Sequence, residues 1–289
     1  MNVSYRPGAA EGRAAPALAP RRSRPARALR FVGVTVEQTP ADLLGSVVAE
    51  GPTRPFLTYY DDATGDRVEL SHATFDNWVA KTASLLQDEL GAAPGERVAV
   101  LLPTHWLGAV WLMATWAAGL VVDLASPQGA EVVVAGPDQL DAAVEAGGRD
   151  NVAVELGPLG GRFTTPLPDG FVDYGLEVLA QPDQFHAYTP PGPGDPALVI
   201  RSPSSDAVRT MSGKEVVEAA HERAQELGLP EGARILTDAN PASASGYLDA
   251  LLTPLVRRSS VVVVRNADPA RHDQRRADER ITHSLLGST

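Results

Sequence analysis

A chain of 289 residues, 44% hydrophobic and 21% charged, has enough apolar material for one large or two medium cores and is not disordered as a whole. It contains no cysteine, which excludes disulfides, thiolate nucleophiles and cysteine zinc sites and fits a reducing, cytoplasmic location. The net charge is −11, yet residues 1–30 carry seven arginines and one acid, so the rest of the chain sits near −17 and repels a phosphate backbone; no nucleic-acid partner is expected.

Residues 1–30 are rich in Ala, Pro, Gly and Arg without hydrophobic periodicity, and read as a disordered basic tail. Arg21-Arg22 lacks the apolar run that an export signal requires. Thr39-Pro40 is a cap followed by proline at a first helical position, predicting a helix to about residue 49. Residues 56–60 and 67–70 alternate around the turn Asp61-Asp62-Ala63-Thr64-Gly65, which predicts a hairpin, and turn chemistry accounts for the paired carboxylates. Ser71 caps a helix with Phe75, Trp78, Val79, Leu85, Leu86 and Leu90 on one face, ended by Gly91.

No residue from 98 to 122 carries a permanent charge. Pro103 breaks that run, and the glycines and β-type flanks fit a buried strand, helix and strand better than a bilayer span, so no membrane insertion is expected. Trp106, Trp111 and Trp116 recur every five residues and rotate around the helix, as in a helix covered on all sides. His105 follows a strand, where open α/β sheets place ligand-contacting groups, so it is a candidate pocket edge; it equally suits a polar residue at a helix start. Residues 131–135 and 152–156 read as strands and 137–146 as a helix, and 171–179 completes this half. The Pro- and Gly-rich stretch 181–194 reads as a linker between a first α/β subdomain (31–180) and a second, incomplete one (195–289).

Beyond it, 197–200, 234–237 and 260–265 are apolar strands, alternating with helices at 212–227 and 245–256. Repeated βα units predict an α/β fold of layered, mostly parallel sheets flanked by helices. Ser212-Gly213-Lys214-Glu215 is a capping box rather than the end of a Walker loop, since no glycine stands five residues before Gly213 and Glu follows the lysine. The tract 265–280 mixes both charge signs and reads as a solvated terminal helix.

Four stretches carry a family resemblance: the 71–90 helix after its hairpin, GERVAVLLPTHWLGAVWLMATWAAGLVVDLASP at 95–127, DPALVI at 195–200, and GLPEGARIL through LLTPLVRRSSVVVV up to Val264. Their order and spacing resemble the front part of the large domain of adenylate-forming enzymes, the acyl-CoA synthetases, luciferases and peptide-synthetase adenylation domains. The chain also resembles a short actinobacterial family similar to these enzymes. The resemblance implies a loop of the form TSGTTGxPKG after the strand at 197–200, where glycines turn backbone N–H groups onto a phosphate and a lysine adds charge. This chain has Arg201-Ser202-Pro203-Ser204-Ser205-Asp206-Ala207-Val208-Arg209-Thr210 instead, with no glycine, one donor removed by Pro203 and a carboxylate at Asp206. Ser202, Ser204, Ser205, Arg209 and Thr210 are thus the residues of a vestigial phosphate loop. The helix that the family places before residue 131 is reduced to Gln128-Gly129-Ala130, and the chain stops before the family's adenine-contacting motifs and lysine-bearing C-terminal domain.

The six histidines show no metal-ligand spacing, and no serine sits in a Gly-x-Ser-x-Gly elbow. The reading is a non-catalytic, truncated relative with no cofactor, no metal and no catalytic residue, acting through a homodimer, a protein partner or a small ligand. The alternatives are a carboxylate-activating subunit that uses ATP, AMP and Mg²⁺ and is completed by another chain, and a nucleotide- or acyl-binding module.

Overall fold

The protein was analysed as a computed structural model that describes residues 37–201 and 207–287. The expected tail at 1–30 and the loop residues Ser202, Ser204 and Ser205 lie outside the described residues. Helix α1, Pro40–Glu50, starts as its sequence dictates: the Asp42 amide donates to Thr39 Oγ1 and the Thr39 amide to Asp42, each at 3.1 Å. The hairpin β1 (Pro55–Asp61) and β2 (Asp66–Ser71) follows, then α2 (His72–Ser84) capped by Ser71 and prolonged by a π-helical turn, Leu85–Glu89. After β3 (Arg97–Leu101) come α3 (Trp106–Ala117), β4 (Val121–Asp123), β5 (Val132–Ala135), α4 (Leu140–Ala146), β6 (Asp150–Ala153), β7 (Phe171–Asp173) and the short α5 (Tyr174–Glu177).

The second half opens with β8 (Pro196–Arg201), β9 (Val208–Ser212) and α6 (Gly213–Glu226), which has the expected Ser212–Glu215 capping box. It continues through β10 (Arg234–Thr237), a π-helical turn joined to α7 (Thr253–Val256), β11 (Ser260–Arg265), α8 (His272–Asp278) and β12 (His283–Leu285). Pro254 is tolerated because it falls in the first turn of α7, just after the π turn.

Sheet A has the order β12-β10-β11-β1-β2 and sheet B the order β7-β6-β5-β3-β4-β8-β9, with β2 and β9 the antiparallel edges of otherwise parallel sheets. This is the layered α/β fold expected. The stretch 181–194 does not divide the chain into two subdomains, however: β1 pairs with β11 in sheet A and β4 with β8 in sheet B, so each sheet draws strands from both sides of it. The described residues all fall in one compact unit. Proline and glycine mark a crossing over the surface here, not a break between cores.

Period-two alternation links sequence to layers. Val261 and Val263 of β11 join the main core while Val262 and Val264 face the opposite cluster; Val132 and Val134 of β5 split from Val133 in the same way. Helix α3 packs on β3 and β4 of one sheet and β1 of the other, so every side is covered and Trp106, Trp111 and Trp116 are all buried, as their rotation around the helix implies. Among the described residues, no helix is long and apolar enough to cross a membrane.

Two expectations need correction. Residues 208–212 are the edge strand β9, not loop. The tract 265–280 is not merely solvated: Arg275 is buried and paired with Asp62 beside the Tyr60 ring, and β12 follows at the sheet edge. Asp62 therefore does more than turn. It takes the Asp268 amide at 2.8 Å, and its carboxyl is lowered by its arginine hydrogen bonds despite burial.

Candidate functional site

The β8–β9 hairpin positions the loop read as a vestigial phosphate site. Thr210 pairs in register with Val199 and Arg209 with Ile200; both side chains are exposed, and the Arg209 guanidinium lies 3.0 Å from the Met211 sulfur. The start of α6 adds no free donors. The Gly213 amide donates to the Asp195 carbonyl at 3.0 Å, the Lys214 amide to the Pro193 carbonyl at 2.9 Å, and the Glu215 amide to Ser212 Oγ. The first turn is taken up by the 181–194 segment and its own cap, so the backbone amides of Gly213, Lys214 and Glu215 are not available to an anion at this hairpin. Sequence reasoning joined strand, loop and helix directly; in the structure the strand β9 stands between Arg201 and the start of α6.

His105 caps α3, its Nδ1 accepting the Leu107 amide at 3.2 Å, and it is fully buried. Its ring meets Tyr59 edge-on at 4.6 Å. Burial, with the nearby Arg265 charge, lowers its pKa to about 3, although Asp61 and the Gly157 carbonyl favour a proton there. Tyr59 is pushed up to about 12 by burial and by Asp61. Asp61 accepts the Ala63 amide at 2.9 Å and Asn266 at 2.8 Å, and Arg265 stands 3.8 Å away. Asp61, with Asn266 and Arg265, thus closes the carboxyl end of sheet A, and His105 serves as a neutral helix cap through its Nδ1.

The carboxyl end of sheet B is different. From β3 the chain moves to one side to form β4, then crosses back to place β5 on the other side. Such a reversal leaves a crevice outside the strand ends, the usual ligand position in open α/β sheets. A cavity of about 330 Å³ lies there, lined by Leu101, Leu102, Pro103, Gly136, Gln139 and Leu156 among others. Gly136 matters because a Cβ would come within 3.2 Å of the Leu156 side chain. The crevice is mainly apolar, and Asp138 on its wall disfavours an anion; His105 is not among its lining residues. Sequence reasoning missed it because strand order, not local pattern, creates it. Among the described residues no cluster of three or more His, Asp or Glu side chains could hold a metal.

The family described as AMP-binding enzyme matches residues 46–134. By fold, the chain resembles the Brucella canis acyl-CoA synthetase with a TM-score of 0.72 at 17% identity, over 86% of this chain and 47% of that one. A Mycobacterium tuberculosis fatty acyl CoA synthetase gives 0.65 at 16% identity, over 86% and 49%. The N-terminal domain of FACL13 from the same organism gives 0.65 at 16%, over 85% and 62%. Together the three structures show that this chain has the α/β fold of acyl-CoA synthetases, and it spans about half the length of the two synthetases. The TIGR03089 family protein of Mycobacterium tuberculosis (strain ATCC 25618 / H37Rv) is 36% identical over 255 residues, 86% of this chain and 99% of that protein. This chain belongs to the TIGR03089 family.

Proposed function

We propose that this protein is a non-catalytic relative of the acyl-CoA synthetases that binds a protein partner, a second copy of itself or a small ligand, with no adenylation chemistry of its own. The observation that carries this reading is the occupied first turn of α6, which withholds the helix-start amides from a phosphate. The hairpin loop contains no glycine, a proline without an N–H at 203 and a carboxylate at 206. At about 4 Å a unit charge of like sign opposes phosphate by ~1–4 kcal/mol, depending on screening. The apolar crevice of sheet B supports a ligand of neutral character instead.

A second reading is a carboxylate-activating subunit, using ATP and Mg²⁺, completed by residues of another chain. The exposed Arg209 favours it, as does the match to about half of each synthetase. ATP–pyrophosphate exchange with a panel of fatty and aromatic acids separates the two, run beside calorimetry with ATP, AMP and acyl-CoA. The expected result is no exchange and no heat from nucleotides, with nucleotide heat appearing once residues 202–207 are rebuilt in the glycine-rich form. Acid-dependent exchange by the native protein overturns the first reading.

A further inference from the structure

A second concavity, of about 530 Å³, lies between α1, α2 and α3 where residues 183–187 cross them, and it shares no lining residue with the crevice of sheet B. Its floor is apolar, with Leu44, Val79 and Met113 all buried. On its wall stands Asp76, half-buried, which receives no hydrogen bond or ion pair from any described residue. Neither carboxylate oxygen is sealed off from solvent-sized approach. A half-buried acid without a partner is costly, and its desolvation raises its pKa.

The second half of the chain shows what this position holds when it has only a packing role. Counting from the caps Ser71 and Ser212, the residue of α6 equivalent to Asp76 is Val217, which is 3% exposed. Packing alone therefore suits an aliphatic side chain there. The other charged group on the wall, Asp183, has the nearest lysine: Lys81 binds it at 2.9 Å and also donates to the Gln181 carbonyl at 2.5 Å, so it is not available to Asp76. His186 is the remaining titratable group on this wall; α1 and α3 contribute none.

We propose that this groove binds a small organic cation, its ammonium on Asp76 and its apolar body on Leu44, Val79 and Met113. An anion would meet the unpaired Asp76 carboxylate, and a neutral ligand would leave Asp76 unpartnered and further desolvated. The volume lies within the ~300–1,000 Å³ of small-molecule sites. The strongly negative body draws cations toward its surface.

The test is calorimetric or NMR titration of the full-length protein with phenethylamine, its neutral isostere phenethyl alcohol, and the anion hydrocinnamate. The amine should bind about tenfold or more tightly than the alcohol, and hydrocinnamate not at all. Asp76→Asn should lower the amine to the level of the alcohol while leaving the alcohol unchanged, which also verifies that the groove is intact. Gly45→Leu should block both ligands, because a Cβ on Gly45 has open space around it and the larger side chain projects into the groove from a helix that it suits. Equal binding of amine and alcohol overturns the proposal, as does an amine preference that survives Asp76→Asn or no amine binding up to about 10 mM. Failure here leaves the nucleotide experiment untouched, since the two sites share no residue.

Discussion

The two halves of the molecule follow one plan. The run β5-β3-β4-β8-β9 in sheet B and the whole of sheet A, β12-β10-β11-β1-β2, have the same order and the same parallel and antiparallel senses. In both hairpins a proline pairs with the capping serine at the same interval, Pro55 with Ser71 and Pro196 with Ser212, with the ladder slipping just after each proline. Left-handed glycines follow the helices at the same spacing, Gly91 and Gly95 in one half and Gly228 and Gly232 in the other; Arg97 and Arg234 then open β3 and β10. The backbone devices are kept while the side chains diverge. What differs is the crossing after β4 and β11. In the first half it is the short segment 124–131, held by the Arg97 side chain on Asp123 and the Gly129 carbonyl. In the second it is a long segment carrying α8, held by Arg234 on Glu279. The duplication teaches that strand order and caps carry the fold, and that the crossings carry the individuality of each half.

The comparison can be broken most severely at Arg234. Its side chain and that of Glu279 are 19% and 9% exposed, and Glu279 also takes Tyr60 and Arg67, so Arg234→Ala should cost about 3–5 kcal/mol in chemical denaturation. The equivalent Arg97→Ala should cost less, about 1–2 kcal/mol, because Asp123 keeps the amides of Ala125 and Ser126. If the two cost the same, the crossings are not held as differently as their contacts suggest.

A smaller effect is tied to pH. His105 is held to about 3 in the fold against 6.5 in the unfolded chain, so between those values the unfolded chain binds more protons and stability falls as pH falls. His105→Asn keeps a capping acceptor and should flatten that slope, as followed by thermal melting from neutral pH to about 4. The smallest change sharpens the comparison at Asp76. Its pKa is raised on folding, so it costs stability in full above that raised pKa, and the cost fades as pH falls and is gone below the ordinary carboxyl value of the unfolded chain. Asp76→Val, which installs the Val217 type, should gain about 1 kcal/mol at neutral pH, and the gain should vanish in acid.

Much of this was legible because local chemistry wrote it. Thr39-Pro40, Ser71 and Ser212 with Glu215 each open a helix where their hydrogen-bonding groups require one. The alternation in β1, β2, β5 and β11 reflects burial against two layers. Strands β9 and β12 were not legible: they are short edges whose Arg209, Thr210 and His283 tolerate water, so no apolar pattern marks them. The pairing of Asp62 with Arg275 joins residues more than two hundred positions apart, which no local motif encodes. Of the candidate site, the altered loop was plain in sequence, whereas the occupied start of α6 and the crevice between β3 and β5 arise only once the strands are ordered.

The exchange of strands between halves has a consequence for how the chain is made. Leu57 waits for Val261 and Val122 for Leu198, so β1 leaves the ribosome long before its neighbour exists and β4 is also finished ahead of its own. Contacts of such sequence separation make folding slow, and they hold an apolar strand edge open through most of synthesis. Cutting the chain within 181–194 should accordingly yield two fragments, each with an unfinished sheet, that are insoluble apart and recover structure only when refolded together.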